Sequence, residues 1–448
     1  MSDPAPAPAP RPRRLSPLTP LVRSSLLVVA VLASTWDDLL SGRPGPVAWV
    51  LLVMLVAGAV YGTASWLRTT YWIEADELRV DTGVISRQSR RIRVDRLQGV
   101  DISQPFVARL LGLAELKMDV AGAGTREGSL AFLPLHEAQQ LRAALLERRD
   151  AVRARAAPAG GPVPVAQPVE QGRILATLDL GTLVTSLLLS PETVLFAFAG
   201  AALVVGLSFS GPMGGVAGVV PVVVGFALTQ VRRLSAYYGF TVAETSAGLQ
   251  VRRGLFSRDT STISLARVQG VVVSEPLMWR GFGWARLDVA LAGYSGSDDS
   301  DGRPSASTVM PVAPRPLVLW LARRLLAEAG SPDPDAVVLT PPPPRARWAA
   351  PVRRRFMAAG AGDHLVVSRE GVLTRRTHVV PHARVQSLQL HQGPWQRRLG
   401  LADLRVDSPP GPVGVRARHR DATQARALLL QENDVARAAR AGRGAGTV

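Results

Sequence analysis

Histidines are the first candidates for chemistry, because five of the six lie between His364 and His419 and clustered histidines can bind a metal ion. His378 and His382 are four residues apart, a spacing that places two ligands on one face of a helix. Pro381 and the surrounding sequence place them on or near a strand instead, where this spacing gives no such face. We therefore predict solvated or core histidines and no metal site.

Other patterns that support catalysis or ligand binding are present only in part. The acidic loop over residues 297–308 resembles a calcium loop, but Ser297 and Thr308 occupy its first and twelfth positions. Arg286 stands where a dinucleotide-binding fingerprint requires its last glycine, and Lys117 lacks the following Ser or Thr of a phosphate-binding loop. The chain also has no cysteine, which excludes disulfides and thiolate chemistry. We predict no catalytic residue, no cofactor and no enzymatic activity.

An arginine and a glutamine recur three times in the same surroundings. With this reference glutamine as the origin, an arginine stands two residues before it, one glycine fifteen before it and another fourteen after it. The match continues without a gap through about thirty residues of each copy, which indicates an internal repeat. The motif consists of Gly83, Arg96, Gln98 and Gly112, then Gly254, Arg267, Gln269 and Gly283, then Gly371, Arg384, Gln386 and Gly400.

The repeated arginine and glutamine have two interpretations. They line a shared binding face, or they hold turns and satisfy loop carbonyls beside paired strands. Ligand-binding residues usually differ among diverged repeats, whereas all three copies keep these two residues. We therefore favour a structural role for the motif.

The sequence around each reference glutamine predicts short strands. Apolar residues alternate there, as at Val100 and Ile102, which is the pattern of a half-buried strand. Glycines after short polar runs supply turn conformations that other residues resist. Each copy then ends with an amphipathic helix, over residues 136–148, 317–328 and 422–432. The predicted unit is therefore a meander of short strands capped by one helix, at residues 70–149, 237–330 and 362–434.

A long uncharged stretch before the first repeat predicts a membrane-spanning helix. Residues 44–67 carry no charge and are rich in Val, Leu and Ala, and about 20 such residues span a bilayer as a helix. The preceding apolar residues complete a hairpin over 21–67, with spans near 21–40 and 46–67.

A second uncharged stretch, residues 193–231, separates the first two repeats. It is too long for one span, so it predicts a second hairpin over 192–231, with spans near 192–209 and 213–231. A buried pair of soluble helices is the alternative, although such helices seldom lack charge over this length.

Arginines next to these hairpins predict their orientation. Arg68 follows the first hairpin, Arg232 and Arg233 follow the second, and several arginines precede the first. The connections inside the hairpins hold few charges or none. Because basic residues stay on the cytoplasmic side, we predict a multi-pass plasma-membrane protein whose N-terminus and repeats are cytoplasmic.

Segments of biased composition separate the predicted parts. Proline-rich, alanine-rich and arginine-rich sequences are typical of disordered ends or spacers. We predict a disordered basic arm over 1–20, linkers over 151–175 and 331–361, and a disordered tail over 435–448.

The formal net charge of +17 favours an anionic partner, either lipid or nucleic acid. The basic residues follow the membrane-proximal segments and the repeats, and no groove-reading motif is present, so we expect no nucleic-acid partner. A solvated linker is the alternative for the basic group before the third repeat. The predicted contacts to anionic lipid are Arg11, Arg13, Arg14, Arg345, Arg347, Arg353, Arg354 and Arg355.

The repeats resemble the bacterial pleckstrin-homology-like domain of YdbS/YdbT-like membrane proteins. The resemblance is clearest over residues 96–120 and 383–408, while the second copy departs from it, with Trp284 in place of leucine. It implies a strongly bent antiparallel sheet that is closed at one end by a C-terminal helix. It brings no established reaction, cofactor or ligand.

The favoured function is a noncatalytic membrane protein that presents three cytoplasmic pleckstrin-homology-like (PH-like) modules for protein or membrane-surface interaction. It would serve as a scaffold in envelope stress or membrane homeostasis. The expected partners are the bilayer, a smaller PH-like membrane protein and further copies of the chain. The alternatives are a component of a small-solute transporter, a membrane enzyme of unrecognised type and a nucleic-acid-binding membrane protein.

Overall fold

The structure of this chain is a computed structural model. It describes residues 13–14, 16–19, 46–74, 76–83, 87–120, 129–156, 172–208, 212–245, 248–292, 307–327, 333–407 and 412–445. The predicted span over 21–40, the centre of the acidic loop and Arg11 lie outside these residues. The chain divides into two compact units. Unit 1 comprises Met1–Pro168 and Phe256–Ser261, and unit 2 comprises Val169–Leu255 and Thr262–Val448.

Unit 1 contains the first repeat. Its strands pair antiparallel in the orders β1-β2-β3-β4 and β5-β6-β7. The core is formed by large apolar side chains that alternate along these strands, among them Leu78, Leu97 and Leu116, and by Leu145 from the closing helix. The elements are β1 (Arg13–Arg14), α1 (Pro46–Leu67), β2 (Thr70–Glu74), β3 (Glu77–Thr82), β4 (Gln88–Arg93), β5 (Leu97–Gln104), α2 (Phe106–Leu110), β6 (Leu113–Val120), β7 (Ser129–Pro134) and α3 (Leu135–Ala156).

The second repeat lies in unit 2 except for Phe256–Ser261, which belong to unit 1. It follows the same order of elements after two long helices. Phe196 and Phe226 from these two helices stack with their ring centroids 3.9 Å apart. The elements are β8 (Arg173–Thr177), α4 (Leu180–Leu188), α5 (Pro191–Ser208), α6 (Pro212–Tyr237), β9 (Thr241–Thr245), β10 (Gly248–Arg253), β11 (Arg258–Ile263), β12 (Val268–Pro276), α7 (Leu277–Arg280), β13 (Trp284–Leu291), β14 (Thr308–Pro314) and α8 (Arg315–Leu326).

The third repeat completes unit 2. Its first three strands join those of the second repeat in a sheet of order β14-β13-β12-β17-β16-β15, and its last three strands form a separate sheet, β18-β19-β20. The elements are β15 (Ala358–Ala361), β16 (Leu365–Glu370), β17 (Thr374–Pro381), β18 (Ser387–His391), α9 (Pro394–Arg398), β19 (Leu401–Asp407), β20 (Val415–Asp421) and α10 (Ala422–Ala445).

The predicted fold class is confirmed for the three β-rich repeats, each of which has antiparallel strands and a closing helix. The closing helices begin in the same way, because the backbone N–H of the first helical residue donates to the carbonyl of the repeated glycine. These bonds run from Leu135 to Gly112, from Arg315 to Gly283 and from Ala422 to Gly400. The glycine therefore fixes where each sheet ends and each helix starts.

The membrane-spanning helices are shown only in part. Among the described residues, α1 is the one helix that is long and apolar enough by itself to cross a membrane, over Trp49–Leu67. Its side chains are largely exposed, as at Val53 (64%). Helices α4 and α5 meet the same criterion together, through Leu180–Leu188 and Pro191–Ala202, with a bend of 47° between them. The two complete hairpins therefore stay a prediction.

The segments expected to be disordered ends or spacers carry regular structure where they are described. Helix α10 continues through Ala445, so the tail over 435–448 is largely helical, because Ala436 packs into the core of the third repeat. The linker over 331–361 forms 3₁₀ turns and contains β15, and its Ala346 and Ala350 are buried. Small apolar side chains let these segments pack closely, which composition alone does not reveal.

The N-terminal arm and the first linker differ from the prediction in the same way. Arg13 and Arg14 pair with strand β2, and the backbone N–H of Ser16 donates to the Phe132 carbonyl at 3.2 Å. Helix α3 extends to Ala156, and β8 begins at Arg173, so the linker over 151–175 is regular at both ends. Backbone hydrogen bonds to existing strands order these segments without a strong hydrophobic pattern of their own.

Candidate functional site

The repeated arginine occupies the same local structure in all three copies. Arg96, Arg267 and Arg384 each end a 3₁₀ turn that leads into β5, β12 or β18. Arg267 Nη2 donates to the carbonyl of Ala292 at 2.8 Å, within its own repeat. Arg384 Nη2 donates instead to the carbonyl of Ala266 at 2.6 Å, in the second repeat. The same motif residue therefore serves a turn in one copy and a contact between repeats in another.

The reference glutamines do not share one environment. Gln269 is buried, and its Nε2 donates to the Arg267 carbonyl at 3.4 Å. Gln386 is exposed, and its backbone N–H donates to the carbonyl of Asp407. The side chain of Gln98 lies outside the described part of the chain. No common binding face formed by these glutamines is visible among the described residues.

The repeated glycines adopt backbone conformations that L-residues rarely populate. Gly112, Gly283 and Gly400 have φ of 68°, 65° and 61°. They follow the short helices α2, α7 and α9, as glycine commonly does at a helix end. Gly83, Gly254 and Gly371 also have positive φ, of 122°, 106° and 107°. The glycine motif thus marks two turns of each repeat.

Sequence reasoning missed a third recurrent position, six residues after the reference glutamine. Gln104 and Gln392 stand there in the first and third repeats, and their Nε2 atoms donate to the carbonyls of Leu113 and Leu401 at 3.2 and 2.8 Å. In the second repeat the position is Glu275, which is 5% exposed. A comparison of the copies at this offset could have found the position, but not its charged environment.

Glu275 is the centre of a cluster of ions between the second and third repeats. Arg315 Nε donates to one carboxylate oxygen at 3.0 Å, and Arg375 Nε donates to the other at 2.5 Å. Arg280 Nε donates to the backbone carbonyl of Glu275 at 3.2 Å. Burial, and after it the charge of Arg375, holds the pKa of Arg280 below its ordinary value. One buried carboxylate therefore joins side chains from two repeats.

Strand pairing also joins the same two repeats. Strand β12 pairs antiparallel with β17, from Val271 opposite Val379 to Pro276 opposite Thr374. Arg280 Nη2 adds a bond to the Val372 carbonyl at 3.2 Å, in the turn before β17. The second and third repeats are therefore one continuous structure rather than two modules on a flexible spacer.

Alternating side chains explain why this shared sheet is stable. Val271 and Val273 of β12 point into the larger core of unit 2, which holds most of the buried apolar side chains of the second repeat. Val272, between them, packs with Val380 and Val385 in the core of the third repeat. Because successive residues of a strand face opposite sides, one strand contributes to both cores. Separating the repeats would expose both sets of valines to water, at a free-energy cost of about 25 cal/mol for each Å² of apolar surface.

His382 joins the turn before β18 to the closing helix of the third repeat. Its Nδ1 lies 2.8 Å from Glu432 Oε2, and its Nε2 lies 2.8 Å from the Gly362 carbonyl, which can only accept a hydrogen bond. Burial is the largest single influence and by itself lowers the pKa of His382. The hydrogen bonds to Glu432 and Gly362 and the nearby carboxylates together outweigh burial, so the pKa of His382 lies above its ordinary value. This buried histidine is a structural link.

His378 is a second buried histidine, on strand β17. Its Nδ1 accepts a hydrogen bond from the Gly414 backbone N–H at 3.3 Å. Burial, reinforced by Arg376 and Arg416 and opposed by Glu370, lowers the pKa of His378 to about 4. The imidazole is therefore neutral in the folded protein at neutral pH.

We expect the contribution of His378 to the stability of unit 2 to be lost as the pH falls from about 6.5 towards 4. The folded pKa of His378 lies below its unfolded value, so its contribution is complete above the unfolded pKa and is lost as the unfolded chain takes up a proton. The loss reaches about 3 kcal/mol at pH 4. Thermal unfolding in detergent between pH 7 and 4.5 would measure it. The variant His378→Asn, which keeps an acceptor and does not titrate, should show a shallower loss; equal slopes would contradict this assignment.

A groove in the third repeat carries an excess of positive charge. It is lined by Arg369, Arg416, Arg418 and Arg420 together with Glu370. Glu370 lies 3.3 Å from Arg418. The Arg420 guanidinium donates to the Pro341 carbonyl and the Thr340 hydroxyl, and burial lowers its pKa. Most of this groove is thus structural.

The basic residues before the third repeat form an exposed surface with aromatic side chains. We name it the linker surface and define it as Arg347, Trp348, Val352, Arg353, Arg355 and Phe356. Trp348 is 65% exposed and Val352 is 64% exposed. Arg347 lies over the Trp348 ring, 5.3 Å from its centroid. Cations beside exposed aromatic rings are typical of residues at a membrane interface.

The other predicted lipid contacts have different surroundings. Arg345 pairs with Asp421 and donates to the Gly400 carbonyl, and Arg354 Nε donates to the Pro343 carbonyl at 3.0 Å. The structure therefore gives these two arginines internal partners and leaves Arg347, Arg353 and Arg355 on the linker surface. Arg13 and Arg14 lie on β1, and nothing is described of their side chains.

No group of three or more His, Asp or Glu side chains that could hold a metal ion occurs within the described ranges. The chemistry that these ranges offer is electrostatic and hydrogen-bonding. The predicted absence of catalytic activity is not tested by this geometry.

Comparison with known proteins identifies a family and a relative. The family model described as Bacterial PH domain matches residues 24–149, 190–329 and 337–434, which together make up most of the chain. The UPF0699 transmembrane protein YdbT of Bacillus subtilis (strain 168) is 32% identical over 101 residues. These residues are 22% of this chain and 20% of that protein, so the chain aligns with about a fifth of the relative.

Proposed function

The chain belongs to the bacterial PH domain family, and from this premise we propose that it is a noncatalytic integral membrane protein whose PH-like repeats bind at the membrane surface. The resemblance seen in the sequence is confirmed by the match to three regions. The relative is named as a transmembrane protein, and α1 has the length and composition of a span. Membrane attachment would hold the repeats within reach of lipid headgroups.

The proposed topology has four spans in two hairpins and places all repeats in the cytoplasm. Helices α5 and α6 together cover most of the uncharged stretch 193–231, which supports a second hairpin. Arg68, Arg232 and Arg233 follow the apolar helices, which supports a cytoplasmic location for the segments after them.

The observation that carries this proposal is the linker surface. Trp348 (65%), Val352 (64%) and Phe356 (39%) are large apolar side chains that stay exposed in the folded chain. Arg347, Arg353 and Arg355 stand among them and are exposed. An anionic bilayer satisfies both groups, because aromatic rings enter the headgroup region and each arginine gains about 1 kcal/mol from anionic lipid. We propose that the linker surface rests on the anionic leaflet.

A fluorescent reporter in the linker surface tests this proposal. The chain has no cysteine, so Val352→Cys can be labelled alone with a polarity-sensitive dye. In nanodiscs that contain anionic lipid, the full-length protein should give a blue-shifted, quencher-protected signal, and in zwitterionic nanodiscs it should not. Removing the charges of Arg347, Arg353 and Arg355 with Gln should abolish the difference, since it removes about 1 kcal/mol per residue.

The control is Leu430→Cys on helix α10, which is equally exposed at 63%. Its label should have the same spectrum in both lipid compositions. The same spectrum from Val352→Cys in both compositions would contradict contact with anionic lipid. The same shift from both positions would show only general adsorption.

We further propose that the repeats act as a scaffold, in which PH-like domains associate with one another at the membrane. The continuous sheet between the second and third repeats supports this proposal, because two domains of this family pair there through their strands. A role in envelope stress or membrane homeostasis, with a smaller PH-like membrane protein as a partner, fits a scaffold of this kind.

A further inference from the structure

The first repeat pairs with the second, and the second pairs with the third, through corresponding strands in the same register. In unit 2, residues 273–275 of β12 pair with residues 375–377 of β17. In unit 1, residues 102–104 of β5 pair with residues 258–260 of β11. In both cases, the residue four after one reference glutamine faces the residue nine before the next. The pairing is therefore a property of the repeat and not of one pair of sequences.

Contacts beyond the strands recur at the same offsets. In unit 2, the backbone N–H of Leu277 donates to the Leu373 carbonyl at 2.7 Å. In unit 1, the residues at these two offsets are Phe106 and Phe256, whose rings meet edge to face with centroids 5.6 Å apart. In the first and second repeats, one strand (β5 or β12) and the short helix after it therefore contact the next repeat. The contacted elements there are a strand (β11 or β17) and the turn before it.

The third repeat has the corresponding strand, β18, whose free edge pairs with no other repeat among the described residues. Strand β18 is at the end of its sheet and pairs only with β19 among the described residues. The short helix after it exposes Trp395 (54%) and Arg397, which stands at the offset of Arg280. An edge strand presents unpaired backbone donors and acceptors, which readily accept another strand.

The complementary edge belongs to the first repeat. Strand β4 ends the sheet β1-β2-β3-β4. Arg87 stands eleven residues before its reference glutamine, as Arg258 and Arg375 do in the other repeats. Arg87, Gln88 and Ser89 are all exposed. The first repeat therefore carries the strand that the other two repeats use for pairing.

We propose that a second copy of this chain occupies the edge of β18 with strand β4 of its first repeat. The register found twice within the chain places Gln88 of one copy opposite His391 of the other, and Ser89 opposite Leu390. Polar side chains do not prevent this pairing, because Ser103 and Asp259 occupy the same offsets in unit 1 and are hydrogen-bonded at 2.5 Å. The contact joins different surfaces, so it propagates from chain to chain as a row or a ring.

This inference rests on the proposed scaffold function and specifies the partner and the surface. The free energy comes mainly from backbone hydrogen bonds, as in other cases of strand addition. Tethering in one membrane raises the effective concentration of the two edges, so even a short paired segment suffices.

Cysteine cross-linking in membranes tests the register directly. Two differently tagged full-length chains are co-expressed, one with His391→Cys and the other with Gln88→Cys, in a protein that otherwise has no cysteine. Directly opposed residues meet the distance limits of a disulfide, so mild oxidation should give a dimer that carries both tags. The matched control pairs His391→Cys with Arg93→Cys, which is exposed on the same strand but about 17 Å further along it.

The expected result is a disulfide yield several-fold higher for the Gln88 pair than for the Arg93 pair. Equal yields, or no dimer with both tags, would overturn the proposal. Cross-linking of His391→Cys to a different protein with a PH-like repeat, and not to its own chain, would also overturn it. The dye at Val352→Cys reports lipid contact independently, so loss of the cross-link with an intact lipid response separates this failure from failure of the membrane-surface function.

Discussion

Replacing Glu275 by glutamine is expected to destabilise unit 2 by about 3 kcal/mol. The carboxylate is 5% exposed, and both of its oxygens accept charge-assisted bonds, from Arg315 and Arg375. A neutral amide can accept on one side only and presents an N–H to the other arginine. Arg315 and Arg375 are partly exposed and regain some hydration, which keeps the loss at the lower end of values for buried ion pairs.

Thermal unfolding of the full-length protein in detergent measures this loss, and hydrogen exchange locates it. The backbone amides of β12 and β17 should exchange faster in Glu275→Gln, because the cluster lies at the end of their pairing. The matched control is Glu244→Gln, which breaks the exposed pair with Arg324 and should cost less than about 1 kcal/mol. Similar losses in the two variants would show that Glu275 is not a joint between the repeats.

Replacing Gly371 by alanine is expected to cost about 3 kcal/mol for two reasons that act together. Its φ of 107° lies in a region that residues with a Cβ avoid. A Cβ at this position would also lie 2.0 Å from the carbonyl oxygen of Thr374, which is backbone and cannot move aside. The turn it forms carries the Val372 carbonyl that Arg280 bonds, so the strain should also weaken the junction between the repeats.

Two other glycines separate these causes. Gly283 has a φ of 65°, but a Cβ added there would meet open space, so Gly283→Ala should cost only about 1 kcal/mol. Gly281 has a φ of −63°, and the nearest neighbour of an added Cβ would be 3.8 Å away, so Gly281→Ala should be almost neutral. Unfolding temperatures in the order Gly281→Ala, Gly283→Ala, Gly371→Ala, from highest to lowest, are expected. A Gly371→Ala variant as stable as Gly281→Ala would refute the strain.

Local sequence was a good guide to the repeat itself. Alternation around the reference glutamine corresponds to β5, β12 and β18, because the period of apolar residues is a local property of a strand. The closing helices begin within two residues of the positions expected from their amphipathic pattern.

Sequence was a poorer guide where packing overrides composition. The proline-rich and arginine-rich linker resembles a spacer, yet Ala346 is fully buried and Arg354 bonds the Pro343 carbonyl. Arg345, a predicted lipid contact, has Asp421 as an ion-pair partner, which the sequence around Arg345 does not indicate. Whether a cation faces solvent or a carboxylate depends on which distant strand lies beside it, and single positions do not encode this.

The sequence by itself determined that three copies of one β-rich unit follow each other, because ungapped offsets and glycine positions are properties of neighbouring residues. Only the tertiary structure decided that the second and third repeats share one sheet, with Val271 and Val272 in different cores. It also decided that Glu275, which lies 100 residues from Arg375, is its ion-pair partner. Strand pairing between distant segments depends on edge availability and on the burial of both faces, and these exist only once the chain has folded.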